Sequence, residues 1–264
     1  MSEVSSQTNG NSRPRIGLAL GGGSVRGIAH FGVLSVLEKA NIPIDVVAGT
    51  SAGAIIGAFY SAGMTLANIE TYVQQMNWRH NTQFVFSRDG FLSLSPLADW
   101  LEATLGKLHF EDLAIPFACA ATDVLSGEAV TLGSGQLATA VQASCAVPGI
   151  ITPVWRNGRL LCDGGITNNV PVSLARTLGA DYVIGVDIFE PTLHWPIGPL
   201  GRGLAALEIM VEHAGNGTKT ADCLITPHLK GHSYIHSSHR QKLIDLGQQA
   251  TLRCLPTIQQ KLLT

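Results

Sequence analysis

Charge is scarce in this chain. Only 14% of its 264 residues are Asp, Glu, Lys or Arg, and 17 basic against 19 acidic side chains leave a formal charge of −2. Without a basic excess there is no general field for nucleic acid, so a nucleic-acid partner is not expected. Disorder is excluded as well, because 45% of residues are hydrophobic and net charge is near zero. Long apolar runs are also missing. Val46 to Asn68 and Ala129 to Trp155 carry no charge at all. Both are broken by Gly, Ser, Thr or Pro, so neither supplies the ~20 strongly apolar residues of a spanning helix. Cys-x-x-Cys spacing is absent. The five cysteines (Cys119, Cys145, Cys162, Cys223, Cys254) read as reduced, buried thiols of a cytoplasmic protein. Met1 to Pro14 has no apolar h-region and reads as a disordered tail, not a signal peptide. No repeat or Pro/Ser-rich linker divides the remainder, so residues 15–264 are expected to form one domain. The 29 glycines follow no fixed period, which excludes a collagen-like chain.

What is present is an alternation of short apolar runs, glycine turns and helical patterns. Arg15 to Leu20 reads as a buried strand, followed by a glycine turn and a helix carrying Val33, Leu34, Leu37 and Ala40 on one side. Ile44 to Ala48 reads as a second strand, and a helix of small residues runs from about Ser51 to Ala62. This order implies parallel strands and right-handed crossovers. Further strands are expected at Pro116 to Thr122, Glu128 to Leu132, Asp181 to Val186 and Cys223 to Pro227. A hairpin is expected to turn at Asn157-Gly158. Helices are expected at Gln136 to Gln142, at Pro171 to Leu178, at Ala205 to Thr218, and at the C-terminus despite Pro256. Trp78 to Trp100 reads as irregular and Phe189 to Gly203 as a Pro/Gly loop.

The sharpest chemical signal is Gly49-Thr50-Ser51-Ala52-Gly53, a GxSxG between a strand and a helix. A sharp turn there projects the Ser51 hydroxyl out of the backbone, and flanking Gly49 and Gly53 relieve the crowding. The helix N-terminus behind Ser51 favours a developing oxyanion. The second signal is Gly21-Gly22-Gly23-Ser24-Val25-Arg26-Gly27. Converging amides there could serve an oxyanion hole, a dinucleotide phosphate or simply close helix–sheet packing. The dinucleotide reading is weak, because the spacing is GxGxxxG and no acid ends the second strand. Arg26 either holds an anion or pins the loop. A nucleophilic serine needs a base. In α/β-hydrolase order it would be a late histidine: His228, His232, His236 or His239. These four lack Cys or acidic ligands at fitting spacing, so they read as a polar loop and not as a metal site. The competing base is Asp163, which ends an apolar run before Gly164 and Gly165. Partial burial would raise its pKa towards that of a competent base. The local residues do not choose between Asp163 and a histidine.

Taken together, GGGSVRGIAHFGVL (Gly21 to Leu34), VAGTSAGAIIGAFYSAG (Val47 to Gly63), IPFACAATDVLSGEAV (Ile115 to Val130), ASCAVPGIITPV (Ala143 to Val154) and DGGITNNVPV (Asp163 to Val172) resemble the patatin-like phospholipase family. The likeness is to its small single-domain bacterial members. It implies a three-layer α/β/α fold with a mostly parallel central sheet. It implies a Ser–Asp dyad in place of a triad, with Ser51 as nucleophile, Asp163 as base and no catalytic histidine. The oxyanion hole would come from Gly21, Gly22, Gly23 and Ser24, with Ala52. In the plant members three glycines stand one residue before the Arg-Gly pair. Here Ser24 and Val25 intervene, so Ser24 takes the third glycine position. The implied activity is hydrolysis of lipid acyl esters, lysophospholipids or phospholipids, with no cofactor and no metal. A non-catalytic regulatory adaptor retaining the fold is the rival from another class, and acyl transfer to another alcohol is a third reading. Ser51 and Asp163 weigh against the adaptor, which needs neither. The expected setting is the cytoplasm, with transient contact at a membrane surface. The aromatics Trp78, Phe84, Phe86 and Phe91 either serve an acyl channel or membrane flap or, as expected here, cover the core.

Overall fold

A computed structural model describes residues 13–75, 80–191, 198–231 and 239–262. The chain opens with β1 (Ile16–Leu20), a 3₁₀ turn at Ser24–Gly27 and α1 (Ile28–Lys39). It continues through β2 (Val46–Thr50), α2 (Ala52–Ser61) and α3 (Leu66–Gln75). A small hairpin, β3 (Gln83–Phe84) and β4 (Leu92–Ser93), precedes α4 (Ser95–Leu105). Then come β5 (Phe117–Asp123), β6 (Ala129–Leu132), α5 (Leu137–Ser144), β7 (Val154–Arg156) and β8 (Arg159–Asp163). The chain ends with α6 (Val172–Thr177), β9 (Tyr182–Val186), α7 (Gly198–Glu212), α8 (Gly217–Thr220), β10 (Cys223–Ile225) and α9 (Arg240–Leu262).

Among the described residues the main sheet has eight strands, ordered β10-β9-β1-β2-β5-β8-β7, with β6 also paired to β5. The first five in that order are parallel; β6, β7 and β8 are joined antiparallel. The mostly parallel sheet is therefore as expected. β1, β2, β5 and β9 are buried along their whole length, as strands covered on both faces must be. Ile16, Leu18 and Leu20 of β1 face a large cluster shared with α1, α2 and α9. Ala19, Ala48, Ala118 and Ala120 face a thinner layer built on α6. The small side chains on that face let the short helix lie close to the strands. On the thick side α1 and α9 cross at two glycines. A Cβ on Gly32 would lie 2.1 Å from the Ile244 carbonyl oxygen, and one on Gly247 would lie 2.2 Å from that of Ala29.

The hairpin turn at Asn157-Gly158 forms with φ of 50° and 74°, the left-handed pair that a type I′ turn requires. The C-terminal helix runs through Pro256. Four of the five cysteines are buried thiols and Cys254 is half-buried.

Three expectations are corrected. The stretch read as irregular contains α4, started by Pro96 in its first turn. The expected Pro/Gly loop gives way to α7 from Gly198 onwards. Phe84, Phe86 and Phe91 do not cover the core; they are 90%, 113% and 65% exposed. Their hairpin carries no buried aromatic. Phe59, Tyr72 and Trp100 instead form a tight aromatic group with ring centroids 5.5–5.8 Å apart. Trp78 lies outside the described residues, as does the expected tail except for Arg13 and Pro14. Arg13 is held by an ion pair to Asp45 at 2.6 Å. No helix of the described residues is long and apolar enough to cross a membrane.

Candidate active site

The register of the sheet assembles the site. β5 pairs with β2 so that Ala120 lies opposite Thr50, and with β8 so that Ala121 lies opposite Asp163. Adjacent residues of one strand thus bring the residue after Thr50 and the end of β8 together. Ser51 sits at the sharp turn from β2 into α2, with φ 53° and ψ −119°. That left-handed φ is costly for a residue with a Cβ, typically about 1–3 kcal/mol. Several bonds hold it there. The Ser51 amide donates to Ser144 Oγ at 3.0 Å, and Ser144 donates to the Ala120 carbonyl at 2.6 Å. The Ser51 carbonyl accepts from the amides of Ala54 and Ile55 at 2.8 and 3.2 Å. The glycines of the motif are required by closeness. A Cβ on Gly53 would meet the Leu20 carbonyl oxygen at 2.1 Å, and one on Gly49 the Gly53 carbonyl oxygen at 2.6 Å.

Asp163 is buried at the end of β8, where its amide donates to the Ala146 carbonyl at 2.9 Å. Its Oδ1 accepts from the Gly165 amide at 2.7 Å. Burial pushes its carboxyl up to about 6, while the hydrogen bond with the Ser51 side chain and that from Gly165 hold it down. A group poised there can take a proton near neutral pH. Cys145 adjoins both; burial and the Asp163 charge push its thiol well above the ordinary range. It is therefore a thiol, not a thiolate.

The glycine loop lies against this pair. A Cβ on Gly22 would stand 3.3 Å from Ser51 Cβ, and one on Gly27 would stand 2.5 Å from Ala52 Cβ. Two of its amides are occupied: Gly21 donates to Val186 O at 2.9 Å, and Gly22 to Asn169, at 3.1 Å to Oδ1 and 3.3 Å to the carbonyl. The Gly23 carbonyl accepts from Arg26 N, and Ser24 has φ 53°. Arg26 belongs to the 3₁₀ turn of this loop. Its side chain is fully buried and donates to the Glu190 carbonyl at 2.6 Å. His30, also fully buried, bonds the Gly21 carbonyl through Nε2 at 2.8 Å, which fixes that nitrogen as the protonated one. Burial holds the ring down at about 4, so it is neutral.

Among the late histidines, His228 and His239 are exposed, and His232 and His236 lie outside the described residues. No group of three His, Cys, Asp or Glu gathers as metal ligands would among the described residues. Ser144 and Asn169 carry no signal of their own in the sequence, and His30 stands there only as one of nine histidines that could be a base. All three stand inside the motif blocks, but only the folded contacts give each a partner.

The sequence model of the family described as patatin-like phospholipase matches residues 18–176. An uncharacterized NTE family protein of Mycobacterium tuberculosis is 35% identical over 185 residues, covering 69% of this chain and 51% of that protein. The lysophospholipase nte1 of Emericella nidulans is 33% identical over 179 residues, covering 66% of this chain and 12% of that one. The chain thus spans about half the length of the mycobacterial relative and far less of the fungal one. Among solved structures, VipD from Legionella pneumophila superposes with a TM-score of 0.63 at 14% identity, over 93% of this chain and 67% of that one. The type III effector ExoU superposes with a TM-score of 0.55 at 15% identity, over 95% and 54%. At such identities the likeness is one of fold.

Proposed function

Since the chain belongs to the patatin-like phospholipase family, we propose that it hydrolyses acyl esters of lipids, lysophospholipids or phospholipids, through Ser51 and Asp163. The observation that carries this reading is geometric: Ser51 stands at a sharp strand-to-helix turn directly after Thr50, Asp163 is buried at the end of β8, and Thr50 and Asp163 lie opposite consecutive residues of β5. Asp163 takes the Ser51 proton as Oγ attacks the ester carbonyl. The carbonyl π electrons move onto oxygen, and backbone amides receive that charge. Collapse expels the alcohol, which leaves with the proton from Asp163. Water then repeats the sequence on the acyl-enzyme and regenerates Ser51. Because the Gly21 and Gly22 amides donate to Val186 and Asn169, the reading assigns the oxyanion to the amides of Gly23 and Ala52. His30, Asn169 and Arg26 hold the loop that presents Gly23. The lysophospholipase named among the relatives supports a lipid ester as substrate.

The test is turnover of a short-chain nitrophenyl ester, followed by lipid profiling with wild type and Ser51→Ala side by side. Ser51→Ala and Asp163→Asn are each expected to lose at least about a thousandfold in rate. Undiminished turnover in Ser51→Ala defeats the mechanism. A variant carrying Gln at His228, His232, His236 and His239 together is expected to keep most activity. A loss like that of Ser51→Ala would restore a triad.

A further inference from the structure

The large apolar side chains that face solvent are not scattered over the described surface. Phe84, Phe86 and Phe91, all exposed, stand on the single hairpin β3–β4. Others stand on the turn after β5, on β7 and on α7, among them Leu125, Trp155 and Met210. Of the exposed large apolar side chains among the described residues, Leu252 on α9 alone lies away from these segments.

Three of these segments, the hairpin, the turn after β5 and α7, are tied to the Ser51–Asp163 end of the sheet. The amides of Phe91 and Leu92 donate to the Ile150 carbonyl at 3.0 Å, and that of Thr152 donates to Leu92 at 2.8 Å. The loop holding Ile150 also holds Asp163, through its bond to Ala146. Leu125 follows β5, whose Ala121 lies opposite Asp163. On α7, Val211 lies 3.5 Å from where a Cβ on Gly165 would stand, two residues after Asp163. The hairpin is firmly based. Val85 N–H donates to the Phe91 carbonyl at 3.1 Å, and Gly90 packs so closely that a Cβ would lie 2.7 Å from the Thr152 nitrogen. Phenylalanine kept this fully in water is unusual unless a partner covers it. The hairpin's charges, Arg88 and Asp89, cancel, so the partner is not one drawn by charge of either sign. Aromatic rings are favoured at the headgroup–acyl boundary of a bilayer.

We propose that the β3–β4 hairpin is an anchor for a lipid surface, with Phe84, Phe86 and Phe91 entering the headgroup–acyl boundary. The anchored protein then holds Ser51 and Asp163 at the layer from which the ester comes. The identity of the surface rests on the hydrolase reading; its measurement does not. The test uses Ser51→Ala protein, which cannot consume the membrane, and vesicles of dioleoylphosphatidylcholine. Co-sedimentation is expected and is expected to persist from low to high salt. Adding Phe84→Ser, Phe86→Ser and Phe91→Ser should cut the partition constant by roughly a hundredfold without changing the melting temperature. Placing Trp at the same three positions should preserve binding and shift indole emission to the blue on vesicles.

Binding of the triple Ser protein equal to its parent overturns the anchor, as does binding that collapses in high salt. So does a parent that ignores vesicles and sediments as a dimer, which would make the patch a contact between copies of this chain. A wild type that binds vesicles but hydrolyses no ester defeats the hydrolase reading alone.

Discussion

Ser51 keeps a left-handed backbone because Ser144 reaches its amide from the end of α5. Ser144→Ala would leave that buried N–H without its partner, at a cost of about 1–3 kcal/mol. It would also release the turn that aims the hydroxyl. The expected outcome is a lower melting temperature and a kcat reduced about tenfold to a hundredfold with little change in KM. Steady-state kinetics with a soluble ester and a thermal melt check both. At the same scale, Asp163 sets the acid limb of the rate. Only its charged form accepts the Ser51 proton, so kcat/KM should fall with decreasing pH and reach half its plateau near the value of about 6. A profile flat through that region contradicts Asp163 as base. The elbow and the Asp-Gly pair were legible in the sequence because each is a local backbone requirement. Ser144 and Asn169 were not, because a buried hydroxyl or amide gains meaning only from the atom opposite it.

Elements show a similar division. The strand–turn–helix alternation from Arg15 to Ala62 was readable, since short apolar runs and glycine turns specify it within a few residues. The crossing of α1 and α9 was not. The apolar spacing at Leu243, Gly247, Ala250 and Ile258 announced a buried face, but not what it meets. The partner is Gly32, with backbone against backbone. Gly32→Val would thrust a branched side chain into the Ile244 carbonyl, and two packed helices have no slack to absorb it. Destabilisation of about 3 kcal/mol or more is expected, measured by urea unfolding. Gly106→Ala is a useful contrast: space at that position is open and the residual cost is that of its φ of 84°. With ψ at 175° that conformation is open essentially to glycine alone, so Gly106→Ala should cost about 1–3 kcal/mol through backbone strain and not through a clash.

In the molecule as a whole, two buried titrating groups oppose one another. Asp163 is raised from 3.8 to about 6, so the folded state binds its proton more readily than the unfolded chain does. The stability it contributes is complete below the unfolded value and is lost as pH rises through about 6. His30 is lowered from 6.5 to about 4, so stability is lost as pH falls across that interval. Each amounts to something on the order of 3 kcal/mol, and their windows overlap. Asp163→Asn should therefore stabilise the fold at neutral pH by up to that order and give no gain once both states are protonated. It should also expose a steeper loss on acidification, carried by His30. Melting temperature against pH for wild type and variant checks this; a variant no more stable than wild type at neutral pH contradicts it.

The sequence by itself determined the turns: where glycine alone fits, where a serine projects at the head of a helix, and where Asn-Gly closes a hairpin. These depend on backbone sterics within a handful of residues. It also determined that the uncharged stretches are strands and helices of a covered sheet and not a membrane span. The tertiary structure decided which groups meet. Thr50 and Asp163 face consecutive residues of β5, a coincidence of register between distant segments that no local pattern encodes. It also decided which apolar residues are covered. Phe59 and Phe84 carry the same side chain, yet one is enclosed and the other stands in solvent, because burial depends on what packs against a segment and not on the residue alone.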